Sequence, residues 1–167
     1  MAIILTVETG TGVADANTYA AAATVDTYHT NLGNSTWAGD ADTKAAAILR
    51  AMRFLEGQNW KGTKTDSDYA LEWPRTGVVD RNSFELDSDE IPQSLINALC
   101  EAALIELVSA GTLRPELSRG GMVQREKVDV VEIEYQPGAP ASTAFGVIIF
   151  ELRGLLKSTV SVALERV

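Results

Sequence analysis

One stretch constrains this chain more than any other: Pro92–Ala110, PQSLINALCEAALIELVSA. Leu95, Ile96, Leu99, Cys100, Ala103, Leu104, Leu107 and Val108 recur at helical spacing on nearly every side, and Gln93, Asn97 and Glu101 mark its one polar stripe. A helix that is apolar almost all round has to be covered on most of its faces. A helical core built around this segment is therefore expected, with Leu104 buried inside it. Pro92 suits the first turn and Gly111 the stop.

Three further helices can cover it. The Ala-rich run TYAAAATVDTYHT predicts a helix over Ala22–Leu32, capped by Thr24 or a neighbour and ended by Gly33. Asp42 or Thr43 opens the next, whose apolar face is Ala45, Ile48, Leu49, Met52 and Leu55, with Arg50, Arg53 and Glu56 off that face and Gly57 as the stop. Phe145–Leu156 fits the fourth, with Phe145, Ile148, Ile149, Leu152 and Leu155 on one face.

Between these runs the pattern changes. Ile3–Val7 reads as extended, 33–42 as a polar loop carrying Trp37, and Gln58–Ile91 as a long irregular stretch. Connections of that length are uncommon in compact domains and usually serve a function. Val131, Ile133 and Tyr135 alternate with Glu132 and Glu134, the period of a half-exposed strand, with Met122–Lys127 as its hairpin partner. PGAPAST is a linker, and residues 157–167 alternate Val160, Val162 and Leu164 with small or polar residues, an extended arm seeking a sheet edge. The expected fold is α+β and mainly α: a four-helix core with a projecting β-hairpin or long loop. Residues 1–136 form the main domain, and 137–167 a C-terminal helix and arm packing on it or on a neighbour.

Composition narrows the function. The chain has 167 residues and a formal net charge of −9, which argues against a general phosphate-binding surface. One cysteine, Cys100, and one histidine, His29, leave no ligand set for zinc and no internal disulfide. Cys100 reads as a small core side chain and His29 as a helix C-terminal dipole partner. The start MAIILTVETG lacks the basic region of a signal peptide, and no run is long enough to span a membrane. G-x-x-x-x-G-K-[ST], G-x-S-x-G and H-E-x-x-H do not occur, and GTGVAD at 10–15 is not a dinucleotide fingerprint. No catalytic residue, cofactor or metal is expected. The acidic run ELDSDE (Glu85, Asp87, Asp89, Glu90) lacks EF-hand spacing and reads as a solvated loop ahead of a helix, with a divalent-cation site as the sharper alternative. The aromatic loop holding Trp60 and Trp73-Pro74-Arg75 has two open readings: a plug for a small satellite core, or an interface.

Several motifs occur together: V-E-T-G-T-G-V-A-D-A-N-T-Y near the start, W-K-G, L-E-W-P-R-T-G-V-V-D-R, D-E-I-P and R-G-G-M-V-Q-R-E-K-V. Over roughly residues 5–135 they resemble a family encoded in the head–tail gene clusters of tailed bacteriophages and prophages, often labelled DnaT-like single-stranded-DNA-binding protein. That family is similar to head-completion adaptors, which dock beneath the portal as rings, usually of about twelve subunits. The resemblance implies a non-enzymatic virion protein of the neck, assembled in the host cytoplasm. Its implied partners are copies of itself, the portal and the tail or next neck protein, with no membrane. Double-stranded DNA would pass through the lumen without tight binding, as an acidic lining favours. Charge is uneven along the chain: 85–90 is acidic, while Arg114, Arg119, Arg125 and Lys127 form a basic segment. A head-to-tail ring needs two such complementary patches. The competing reading is a single-strand DNA-binding module, and a weaker one a small enzyme built on the acidic loop.

Overall fold

The apolar run forms the helix at the centre of the protein, α3 (Gln93–Val108), and three other helices pack on it. They are α1 (Ala22–Asn31), α2 (Ala41–Glu56) and α4 (Gly146–Leu152). The computed structural model describes residues 2–80, 82–114 and 145–157, together with the backbone of 125–128 and 131–134. Alanines explain the closeness of the main contact. Ala98, Ala102 and Ala103 on α3 and Ala47 and Ala51 on α2 are buried, so two backbones approach while Ile48, Leu55, Leu95 and Leu99 fill the spaces between.

The burial of α3 is less uniform than its sequence. Val108 is 68% exposed and Leu104 only half-buried, whereas Glu106 is buried. We expect Leu99→Ala to cost about 2–5 kcal/mol as a core truncation. Leu104→Ala, at a half-covered position, should cost roughly 1–2 kcal/mol. Urea midpoints at unchanged slope would check this, and equal losses would mean that Leu104 is as enclosed as Leu99.

Helix ends differ in detail from the sequence pattern. α1 is preceded by Ala21 in extended conformation with no side-chain cap, so Thr24 lies within the first turn and does not cap it; Gly33 adopts φ +69°, as a helix stop should. α2 begins before Asp42: the Asp40 carboxylate accepts the Thr43 amide at 2.7 Å, which also holds the Asp40 carboxyl below its ordinary pKa. α4 is shorter than expected. Ile148, Leu152 and Leu155 are buried, but Ile149 is 40% exposed, because the covered stripe follows i, i+4, i+7 and Ile149 turns off it.

Residues 58–91 are not irregular throughout. β1 (Thr63–Lys64) pairs antiparallel with β2 (Arg75–Thr76), in register Thr63 to Thr76 and Lys64 to Arg75. The chain after α4 is stitched to the start of this loop: Lys61 N–H donates to the Leu155 carbonyl at 2.9 Å, and Lys157 N–H to that of Asn59 at 2.8 Å. α4 thus closes on the same core as the helices before it. The expected hairpin is present as β3 (Arg125–Val128) and β4 (Val131–Glu134), while 122–124 of its expected first strand lie outside the described residues. In its register Arg125 stands opposite Glu134 and Lys127 opposite Glu132. Two residues of the supposed basic segment are therefore paired in register with acids.

Candidate interaction surface

The motif-bearing loops owe their form to buried polar groups. Glu8 is 1% exposed, and its carboxylate accepts the amides of Gly10, Gly12 and Val13 at 2.8–3.0 Å. The amides of GTGVAD that could have cradled a phosphate are thus engaged by the chain's own carboxylate. Gly10 has φ +104°, and a Cβ there would lie 1.9 Å from the Asp89 carbonyl oxygen, so this loop fastens the N-terminal segment onto the acidic run. The Tyr19 hydroxyl hydrogen-bonds to the Glu56 carboxylate and accepts the Trp73 amide at 3.2 Å, while Glu56 also accepts the Glu72 amide at 2.9 Å. Burial raises the pKa of both Tyr19 and Glu56.

Trp60, Trp73, Pro74 and Arg75, named above as interface candidates, are all buried in the monomer. The indoles meet edge to face at 5.8 Å between centroids. They belong to the one main core, so they are plugs, though not of a separate satellite cluster. The Arg75 guanidinium donates to the carbonyls of Lys61, Gly62 and Glu72 and to the Glu72 carboxylate at 2.7 Å, tying the two halves of the loop together.

His29 and Cys100 also meet, without a nucleophilic geometry. His29 Nε2 lies 3.1 Å from the Cys100 carbonyl oxygen and Nδ1 lies 3.1 Å from the Asn34 amide nitrogen. The ring therefore donates from Nε2 and accepts at Nδ1 as a neutral imidazole, and it ties α1 to α3 where a dipole role was expected. The Cys100 thiol is pushed up to about 12 by burial, as suits a core side chain. Burial also lowers the His29 pKa from 6.5, with Glu101 and Asp26 opposing. The unfolded chain then binds more protons than the folded one, so stability is full above about pH 6.5 and falls as pH drops through that value toward the folded pKa. Melting temperature should decline between about pH 7 and 5 more steeply in the wild type than in His29→Gln. Equal slopes would refute this.

The surface candidates separate by charge. Glu85, Asp87, Asp89 and Glu90 are all exposed. Among the described residues no group of three His, Cys, Asp or Glu side chains could hold a metal ion, and no helix is long and apolar enough to cross a membrane. Arg114 is exposed and lines an open groove of about 610 Å³ together with Arg50, Arg53, Leu49, Met52, Leu71 and Glu56, whose carboxylate is taken up by the Tyr19 hydroxyl and the Glu72 amide. Arg119, Val160, Val162 and Leu164 lie outside the described residues, and Arg125 and Lys127 are placed by their backbone only. Of the sites expected from sequence, the structure therefore groups Arg114 with Arg50 and Arg53, two arginines that the sequence pattern sets off the apolar face of α2. Their i, i+3 spacing beside Leu49 and Met52 was the available signal.

A family model described as "Putative DnaT-like ssDNA binding protein" matches residues 3–167. The chain belongs to this family. The match continues past Gln136, where the recognisable motifs stop, so α4 and the segment after it are part of the family signature. Comparison with curated proteins and with solved structures gives no match.

Proposed function

We propose that this chain is a structural adaptor of the head–tail connector of a tailed bacteriophage or prophage. One copy is a subunit of a ring beneath the portal, which extends the DNA channel and docks the tail or the next neck protein. The separation of exposed charge of opposite sign carries this reading. Exposed carboxylates cluster at 85–90, arginines surround a groove elsewhere, and the two share no residue. Two different complementary patches on one subunit suit a head-to-tail ring, whereas a two-fold dimer needs one self-complementary patch. A subunit of charge −9 repeated around a channel keeps phosphates from sticking to its wall. The buried ionisable groups Glu8, Arg75 and Glu106 serve the protein's own backbone.

Mass measurement of the purified protein, alone and with portal protein, tests the reading. A monomer or loose oligomer is expected alone, and a closed ring with portal. A tight two-fold dimer in isolation would count against it.

The family description favours a second reading, single-stranded DNA binding, and three arginines over an apolar floor are its structural support. Single-strand binders combine a basic track with aromatic stacking platforms, and the side chains lining this groove include no aromatic ring. Retention on a single-stranded oligonucleotide that falls with added salt would favour this reading over the adaptor.

A further inference from the structure

The groove and the acidic run are chemically matched. Arg50 donates to the Glu106 carboxylate, but Arg53 and Arg114 enter no ion pair among the described residues. Glu85, Asp87, Asp89 and Glu90 enter none either. The acidic run is held as an ordered ledge. Leu86 N–H donates to the Val78 carbonyl at 2.9 Å, Val79 and Glu85 form an antiparallel bridge, and the Thr65 hydroxyl donates to the Ser88 carbonyl at 2.9 Å. Its backbone is bound to its own fold while its carboxylates face outward.

We propose that the arginine-rimmed groove of one copy receives the ledge Glu85–Glu90 of a second copy. This rests on the ring reading and names the contact that would close the ring. Arginine suits the task because its planar fork grips carboxylates in pairs of hydrogen bonds. Leu49, Met52 and Leu71 give the floor an apolar surface that an ion pair alone would lack. Each copy can offer its ledge and its groove at once, so the contact propagates head to tail. Exposed ion pairs are individually weak and screened by salt. Copies should therefore stay loosely associated when free and close into a ring when a portal raises their local concentration.

The test uses full-length charge reversals at positions without folding ties: Arg53→Glu with Arg114→Glu in one protein, Glu85→Lys with Asp87→Lys in another. Ring formation on portal protein is read by mass at low salt, with circular dichroism to show that each variant folds. Each variant alone should lose the ring, and an equal mixture should recover it, because every reversed groove then meets a reversed ledge. Variants that assemble as well as wild type would overturn the contact and leave the ring reading standing. Loss without recovery in the mixture would overturn the pairing of these two patches. A wild-type chain that never assembles would remove the ring reading and the contact together. Binding of an oligothymidine strand that disappears only in the arginine variant, with assembly intact, would make the groove a nucleic-acid site and overturn the proposal.

Discussion

Trp73→Ala is expected to destabilise the protein by about 3–5 kcal/mol, the cost of removing a fully enclosed aromatic. For a domain of this size that corresponds to a fall in melting temperature of roughly 6–20 °C. Trp73 is 0% exposed and packs edge to face on Trp60, itself 3% exposed. Such a pair adds about 0.5–1.5 kcal/mol beyond area burial, so the loss should lie in the upper half of the range. The backbone amide of Trp73 is bound to Tyr19, whose hydroxyl also meets Glu56 on α2. A cavity at this point loosens the link between the N-terminal motif, α2 and the long loop together. Thermal or urea unfolding checks the effect. A variant that melts like wild type yet fails to assemble would restore the interface role that burial in the monomer argues against.

What the sequence made legible was the periodic part. α3 announced itself through apolar residues on almost every side, α2 through its stripe, and the hairpin through the alternation at 131–134. The polar scaffold was not legible, because nothing in a residue type says where its hydrogen bonds go. Glu8 in VETGTGV reads as a surface acid until three amides converge on it. Glu106 sits between Ile105 and Leu107 in an apolar helix, a placement that should have suggested a buried, satisfied carboxylate. The tryptophans were ambiguous for a related reason: aromatic, proline and arginine neighbours serve equally at an interface and in a plug. Arg75 is drawn inward because four carbonyl and carboxylate contacts can be reached there. The groove was missed because Arg114 is far from Arg50 and Arg53 in sequence, and only the turn after α3 brings them together.

That turn is held by Glu106, and here the second large effect is expected. The carboxylate is 2% exposed. Oε2 accepts the Gly111 amide at 2.7 Å and Arg50 Nε at 3.1 Å, while Oε1 accepts the Leu113 amide at 3.0 Å. Glu106→Ala leaves two backbone amides without their acceptor, each worth about 1–3 kcal/mol when orphaned inside a protein. The Arg50 side chain is 36% exposed and can recover water, so its loss adds little. The Gly111 amide belongs to an exposed residue and lies at the lower end of that range, so a total of about 2–5 kcal/mol follows for Ala. Glu106→Gln keeps the shape and one acceptor oxygen but aims an amide N–H₂ at a donor, and should cost roughly 1–3 kcal/mol. Urea unfolding that ranks Ala below Gln and Gln below wild type would support this order, and a Gln variant as stable as wild type would refute it. The consequence reaches the groove. Arg114 N–H donates to the Gly111 carbonyl at 3.2 Å, and Arg50 donates to the Glu106 carbonyl at 3.0 Å as well as to its carboxylate. Freeing the turn therefore releases two of the three arginines on the rim. The Glu106→Gln protein should still fold yet assemble less well than its modest loss of stability would predict.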